Sequence, residues 1–261
     1  MKQKKIIFSL DLEADHAGLV SSNYQIWQKE NIVLLLDLLK KQQVPLSIFV
    51  VAKALNKKNK EIIDLFKEFG AEFYLHSYSH QQSKNHLSEE LNLGIKHFVD
   101  FFAYKPLAYR APAYRIKFED LELLKKHKIK LDSSCLPSLW QMPKHFFQKR
   151  LFLKNKHVKE LPITVLNPFA IPNALSWMKL LGFRFFTYCF RINDKLTKGQ
   201  QPMVFVFHLH DLFSSPSNKN LDLFWRFIYS RNSDLGLQYS EDFIIYLKEE
   251  GFEFDQISKH L

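Results

Sequence analysis

Cysteine is scarce in this chain of 261 residues, which has only Cys135 and Cys189. Two cysteines are too few for a disulfide framework, so the composition fits a reducing compartment. Glycine, proline and serine do not gather into a linker, and no internal repeat or low-complexity tract divides the chain. We therefore expect a single domain over residues 1–261.

The N-terminus lacks the apolar core of a signal peptide, because only a short apolar run separates Lys5 from Asp11. This pattern predicts a cytoplasmic protein. Acidic residues are outnumbered, 27 Asp and Glu against 37 Lys and Arg, which gives a formal net charge of +10. Such a surface attracts polyanions. However, no zinc-finger, RRM or basic-zipper pattern is present, so we expect no nucleic-acid partner.

Apolar patterning predicts strands that alternate with helices. The strands are expected at residues 5–10, 46–52, 71–75, 129–131, 158–163, 203–207 and 252–254. The helices are expected at residues 24–42, 59–69, 88–102, 118–127, 221–229 and 240–249. Polar residues follow several of the strands, which is how a βα barrel gathers a site at one rim.

A pair of histidines follows the strand predicted at residues 71–75. His76 ends this strand, and His80 comes four residues later. If the chain formed a helical turn there, the two residues would lie on one face with Cβ atoms roughly 5–6 Å apart. Two imidazoles at that spacing can reach one divalent metal. The alternative is a chance spacing among eleven histidines.

Other strand ends offer carboxylates, an arginine and two more histidines. These residues are Asp11, Glu13, Asp15, Arg110, Asp132, His208 and His210. Two imidazoles and one carboxylate leave an open position for water, the composition expected of catalytic zinc. Cobalt, nickel and iron accept the same ligands. With a spare carboxylate as base and a separate histidine as acid, the set predicts metal-assisted hydrolysis of an amide.

The order and wording of these motifs resemble the polysaccharide deacetylase family, also called the NodB-homology domain or carbohydrate esterase family 4. The matching segments are Ser-Leu-Asp-Leu-Glu at 9–13, His-Ser-Tyr-Ser-His at 76–80, Tyr-Arg-Ala-Pro at 109–112, Leu-Asp-Ser-Ser at 131–134 and Phe-Val-Phe-His at 205–208. The second of these is the most specific. The resemblance spans roughly residues 5–212.

This resemblance implies an α/β fold, a distorted (β/α)7 barrel, in an enzyme that removes an N-acetyl or occasionally an N-formyl group from an amino sugar. It also implies a metal held by Glu13, His76 and His80. Many relatives place two aspartates side by side, whereas the second acid here is Glu13, one residue further on. Asp15 is therefore kept as the alternative ligand.

The resemblance also implies the residues that carry the chemistry. Asp11 would be the general base, Arg110 would orient it by charge-assisted hydrogen bonding, and His208 would be the acid for the departing amine. His210 shares a strand face with His208 at period two and is the alternative acid. Asp132 is either a further catalytic residue or the cap of a turn.

Residues 167–191 are dense in aromatics, but Lys179, Arg184 and Arg191 interrupt them, so the stretch is a poor bilayer span. A basic, aromatic helix can instead lie in a membrane interface. The stretch therefore predicts either peripheral contact with an anionic membrane, on its inner face, or a buried helix of the barrel wall. In the first case the substrate could be a lipid-linked amino sugar.

Two rival functions stay open at this point. The first is hydrolysis of another C–N bond, such as a formamide or a cyclic amide, on the same fold. The second is a metal-free module that binds a glycan or a membrane without catalysis. The presence of Asp11, His76, His80 and Arg110 together argues against the second.

Overall fold

A computed structural model of the chain describes residues 3–19, 24–80, 87–137, 158–197 and 202–261. The strands are β1 Lys4–Leu12, β2 Ser47–Val50, β3 Glu72–Leu75, β4 Ala108–Tyr109, β5 Leu131–Asp132, β6 Lys159–Glu160, β7 Val165–Leu166, β8 Ile171–Pro172, β9 Met203–His208 and β10 Phe252–Asp255. The α-helices are α1 Lys29–Lys41, α2 Lys60–Phe69, α3 Leu87–Phe102, α4 Asp120–Lys126, α5 Leu175–Leu181, α6 Phe183–Thr197, α7 Leu209–Leu212, α8 Leu223–Ser230 and α9 Gly236–Glu249. None of these helices is long and apolar enough to cross a bilayer.

The central strand of the parallel sheet is β1. One of its edges pairs with β9, and the other is shared by β10, along residues 4–7, and β2, along residues 9–12. From β2 the sheet continues through β3, β4, β5 and β6. Beyond β6 the chain returns to β9, where Val204 N–H donates to Thr164 Oγ1 and Asn173 Nδ2 donates to Val204 O. The distorted (β/α)7 barrel predicted from the sequence is confirmed.

Side chains of β1 alternate between two apolar cores because successive residues of a strand point to opposite faces. Phe8 belongs to the outer core between sheet and helices, where its ring centroid lies 4.9 Å from that of Phe205. Ile7 belongs to the inner core of the barrel. The same alternation turns Asp11 inward. Its register partner on β9 is His208, so these two side chains enter the barrel together.

Helix α1 begins five residues later than the sequence predicts. The predicted helix starts at Tyr24, but the carboxylate of Asp15 accepts hydrogen bonds from Gln25 N, at 3.1 Å, and Ile26 N, at 3.3 Å. The indole of Trp27 donates to Glu13 O at 3.0 Å. These bonds hold the segment before Lys29 against the end of β1, so a tertiary contact overrides the helical pattern.

Several other boundaries differ from the prediction. Strand β2 is shorter than predicted. The described part of α3 already includes Leu87, one residue before the predicted start at Ser88. Helix α8 is capped by Asp222, whose Oδ1 accepts from Trp225 N at 3.0 Å. Helix α9 starts at Gly236, where a Cβ atom would lie 2.0 Å from Asp211 O, so only glycine permits this approach of α9 to α7.

The aromatic stretch 167–191 contains two helices, α5 and α6, separated at Gly182, whose φ is 87°. On the inner side of α6, Phe186 and Phe190 are buried against Phe243 of α9. Other aromatic side chains of the stretch stay exposed. The prediction of a buried wall helix therefore holds for one side of α6 and fails for the other.

Candidate active site

Asp11, at the end of β1, is buried and paired with Arg110, which follows β4. Arg110 Nη1 donates to Asp11 Oδ1 at 2.5 Å and to Ser9 Oγ at 2.7 Å. The arginine is completely buried. An ion pair removed from water in this way is stable only because further hydrogen bonds satisfy the remaining donors. The predicted contact between Arg110 and Asp11 is present.

The guanidinium of Arg110 is fixed from its other sides as well. Nε donates to Ser133 O at 3.2 Å and Nη2 to Ser133 Oγ at 3.0 Å. The ring of Phe49 lies under the guanidinium, with its centroid 4.0 Å from Cζ. A planar cation stacked on a ring and held by a fork of donors cannot be replaced by the point charge of lysine. Arg110 therefore holds Asp11 in one orientation.

Glu13, His76 and His80 converge beside this pair. Glu13 Oε2 lies 2.6 Å from His80 Nε2 and 3.6 Å from His76 Nε2. His76 Nδ1 lies 2.8 Å from Arg110 O. Because a carbonyl oxygen only accepts, Nδ1 must carry the proton, and the lone pair of a neutral His76 is then on Nε2, facing Glu13. Fixing the distal ring nitrogen in this way is characteristic of histidines that ligate metals.

The donor set of these three residues fits a divalent metal. One atom from each lies within 4.8 Å of the others. The two histidine rings meet at 55°, so their planes intersect and both lone pairs can point at one ion. Glu13 Oε2 is buried and has no hydrogen-bond partner, since its short contact with His80 lacks hydrogen-bond geometry. Such an orphaned buried oxygen requires a cation or a proton.

The charges of the site keep Glu13 ionised. Burial alone would raise the pKa of Glu13, but the facing rings of His80, His76 and His208 outweigh it and hold this pKa well below its usual range. Conversely, burial lowers the pKa of His80, and the Glu13 carboxylate reverses the shift and raises it. The pocket therefore presents an anionic oxygen between imidazoles.

The turn that carries the two histidines is not the helical turn assumed from their spacing. Ser77 and His80 have positive φ, 65° and 64°. Glu90 of α3 holds this strained turn: Oε2 accepts from Ser77 Oγ at 2.5 Å and from Ser79 N at 2.8 Å. Gly94 lies one turn along α3, where a Cβ atom would lie 3.3 Å from Ser77 C. His76 and His80 converge because α3 holds the turn between them in this shape.

His208 faces the same pocket from β9. Its Nε2 lies 3.7 Å from Glu13 Oε1 and 3.9 Å from Asp11 Oδ2, and its Nδ1 lies 2.9 Å from Asp211 Oδ2. Burial lowers the pKa of His208, but Asp211, Glu13 and Asp11 together outweigh it and raise that pKa to about 9. The same pairing lowers the pKa of Asp211 to about 2, against the effect of burial. His208 is therefore a cationic proton donor at neutral pH.

His210 occupies a different position from the one expected. Strand β9 ends at His208, and His210 lies in α7, so the two do not share a strand face. Their rings stack, with centroids 4.7 Å apart and planes at 13°. Burial and the charge of His208 lower the pKa of His210 to about 3, so it stays neutral and is a poor proton donor.

This stacking also excludes a second metal-binding group. Glu13, His208 and His210 satisfy the distance criterion for a shared ion. However, each imidazole lone pair lies in its ring plane, and two nearly parallel planes do not meet at one ion. Among the described residues the group of Glu13, His76 and His80 is the better metal site.

Asp15 and Asp132 lie outside both groups. The carboxylate of Asp15 is used by backbone N–H groups of the segment before α1, so the structure does not place this alternative ligand at the site. Asp132 is fully buried and accepts from Ser134 Oγ at 2.6 Å, which matches the role of a turn cap. Burial raises the pKa of Asp132 to about 6, and burial beside Asp132 raises that of Glu160 well above its ordinary value.

Sequence reasoning missed Glu90, Asp211 and Phe49. Glu90 reads as a solvent-facing acid that favours the start of α3, and only the packing of that helix shows its contact with the turn. Asp211 had a visible signal, because it lies three residues after His208. The packing of Phe49 under Arg110 follows from its register with Asp11 on β1, which the sequence does not reveal.

Comparison with known proteins finds a family with a similar sequence and solved structures with a similar fold. The sequence model of the polysaccharide deacetylase family matches residues 16–131. The resemblance to the polysaccharide deacetylase family is confirmed. The match supports a carbohydrate deacetylase. A search of curated proteins finds no match for the chain.

Solved structures of polysaccharide deacetylases share the fold. A mutant of a family 4 pseudoenzyme from Bacillus anthracis, with restored activity, is 13% identical at a TM-score of 0.58, covering 99% of this chain and 67% of its own. The peptidoglycan deacetylase PdaC from Bacillus subtilis is 14% identical at a TM-score of 0.53, and the match covers 99% of this chain and 90% of PdaC. A family 4 carbohydrate esterase from Streptomyces lividans, in complex with acetate, is 9% identical at a TM-score of 0.54. That match covers 97% of this chain and 93% of the esterase.

Proposed function

We propose that this protein is a metal-dependent carbohydrate N-deacetylase, which hydrolyses the N-acetyl group of an amino sugar in a glycan or a lipid-linked glycan precursor. The observation that carries the proposal is the convergence of Glu13, His76 and His80 beside the buried pair of Asp11 and Arg110. A ligand set and a positioned base lie on neighbouring strand ends, where a barrel presents its site.

Glu13, His76 and His80 would hold the metal, with zinc as the expected ion because two imidazoles and one carboxylate suit it. A bound divalent ion would polarise the amide carbonyl and lower the pKa of water. The protein residues around it have separate tasks. Arg110 keeps Asp11 oriented with Oδ2 directed toward His208, and Asp11 is placed to accept the proton of the attacking water.

His208 supplies the second proton transfer. It lies beside the metal-binding group and is held by Asp211, so that its Nε2 faces the carboxylates of Asp11 and Glu13. From there Nε2 donates a proton to the departing amine, which leaves as a neutral group. A base and an acid that face one pocket are the arrangement that hydrolysis of an amide requires.

The proposal is tested by metal analysis and by product release. Purified wild-type protein is expected to carry about one metal per chain and to release acetate from N-acetylated amino sugars, while a His76→Ala/His80→Ala variant does neither. Loss of two ligands removes several kcal/mol of charge stabilisation, so we expect a loss of roughly a thousandfold or more in kcat/KM.

Two results would change the conclusion. Release of formate instead of acetate would identify a deformylase with the same site. Wild-type protein that takes up no zinc or cobalt on reconstitution would contradict the hydrolase and favour a binding module.

A further inference from the structure

Helix α6 presents an exposed aromatic and apolar face on the barrel wall. Tyr188 is 61% exposed and Leu196 is 63% exposed. Phe185 is 41% exposed, and its ring centroid lies 5.9 Å from that of the exposed Phe169, in the turn between β7 and β8. Side chains of this size lie against water on a helix whose opposite side is fully packed. Contiguous exposed apolar groups on a monomer mark an interaction surface.

Helix α6 contributes positive charge and no exposed carboxylate to this face. Arg184 and Lys195 are exposed beside the aromatic groups, and Arg191, which is also exposed, pairs with Glu250 of α9 at 2.7 Å. Between Glu160 and Asp194 the sequence has no acidic residue at all. Asp194 itself is buried, where Lys4 Nζ donates to it at 2.7 Å. The face of α6 is therefore cationic and aromatic, which is complementary to an anionic, partly apolar partner.

The inner side of α6 fixes the helix to the barrel. Phe186 and Phe190 are fully buried, and the ring of Phe190 packs 5.3 Å from Phe243 and 5.4 Å from Phe252. This packing leaves Phe185, Tyr188 and Leu196 on the outer side of the helix. A rigid helix with one buried side and one basic, aromatic side has the composition of helices that lie at a membrane surface.

We propose that α6 and Phe169 dock this protein on an anionic lipid surface. Phe169, Phe185, Tyr188 and Leu196 enter the boundary between headgroups and acyl chains, and Arg184 and Lys195 contact the lipid phosphates. Lipid is favoured over a soluble acidic protein because the apolar groups are interspersed with the cations, and an interface of headgroups and acyl chains offers both surfaces at once. Docking places the barrel wall on the membrane and does not depend on the proposed deacetylation.

The test is flotation of full-length protein with phosphatidylcholine vesicles, with and without phosphatidylglycerol, at low and high salt. Binding is expected only with phosphatidylglycerol and is expected to weaken with salt. A basic residue near an anionic surface strengthens binding about fivefold, so Arg184→Glu/Lys195→Glu should weaken the partition coefficient by roughly twentyfold or more. The matched control, Lys58→Glu/Lys125→Glu, makes the same change of net charge at exposed lysines outside α6. It should bind the vesicles at least tenfold more tightly than Arg184→Glu/Lys195→Glu.

A second pair of variants locates the contact. A Tyr188→Trp variant is expected to show a blue shift of its added fluorescence on vesicles, whereas Phe227→Trp, at an exposed position of α8, shows none. Equal weakening by the two charge variants, a shift only at position 227, or failure of wild-type protein to float with anionic vesicles would each overturn the proposal. Circular dichroism confirms that every variant is folded.

Discussion

Two histidine pairs lie at the rim of the barrel, and they differ in the angle between their rings. The rings of His76 and His80 meet at 55°, and those of His208 and His210 stack at 13°. In the first pair both lone pairs can reach one ion. In the second pair they cannot, so one ring is left to carry a proton. The angle, and not the residue type, separates a metal site from an acid.

The hydrogen-bond partners of the Nδ1 atoms also distinguish His76 from His208. His76 Nδ1 donates to Arg110 O, a neutral acceptor that fixes the tautomer. His208 Nδ1 donates to the Asp211 carboxylate, which favours the charged imidazolium. The carbonyl fixes the ring orientation of His76 without adding a charge, whereas the carboxylate of Asp211 favours the protonated form of His208. Each prediction below tests this division.

The largest expected effect is that of His208→Ala. If His208 is the proton donor and not a ligand, this variant keeps the metal content of the wild type while kcat falls by about 10²–10⁴. His80→Ala, measured beside it, loses both. Elemental analysis and kinetics of acetate release separate the two outcomes. Loss of metal in the His208 variant would show that the two pairs are not divided as described.

A smaller effect is expected for Asp211→Asn. Burial opposes the charge of His208, and the carboxylate of Asp211 is the first of the groups that raise its pKa to about 9. Without that charge the pKa of His208 falls, and because histidine is protonated only below its pKa, the alkaline limb of kcat moves to lower pH. We expect a shift of roughly one to two pH units.

The measurement for Asp211→Asn is the pH profile of kcat at saturating metal, with metal content as the structural control. Asp100→Asn, a change at an exposed carboxylate of α3, should leave the profile in place. An unmoved alkaline limb in the Asp211 variant would contradict the role given to this carboxylate.

The smallest effect is expected for Glu90→Gln, which acts on the metal pair through the turn. Burial raises the pKa of Glu90, but its hydrogen bonds from Ser77, Ser79 and Tyr78 outweigh burial and lower it. Removing the charge weakens these bonds, so we expect metal affinity to fall about 10–100-fold, with little change of kcat once metal is saturating.

Competition with a chelator measures the metal affinity of the Glu90 variant. Glu122→Gln on α4 is the matched control. An unchanged affinity would mean that the strained turn keeps its shape without Glu90.

The sequence predicts those parts of the site that depend on strand ends. Asp11, Glu13 and His76 could be located because parallel strands deliver their carboxyl ends to one rim. The placement of these residues depends on the apolar run that precedes each of them, which is a local property. The register that pairs Asp11 with His208 joins β1 to β9 and is not visible in either segment alone.

The remaining features depend on contacts between distant segments. The start of α1 at Lys29 depends on Asp15, whose carboxylate accepts a hydrogen bond from the backbone of Gln25, ten residues later. The shape of the histidine turn depends on α3, whose orientation no local pattern records.

The contacts by which α3 holds the histidine turn stabilise the fold whether or not the protein is active. Glu90 binds serine side chains and backbone amides, and Gly94 allows the close approach of α3, so neither contact uses an imidazole. A descendant of this protein could therefore lose His76 or His80 and still inherit an intact barrel. Natural selection for a stable protein would not eliminate such a change, and only selection for catalysis would.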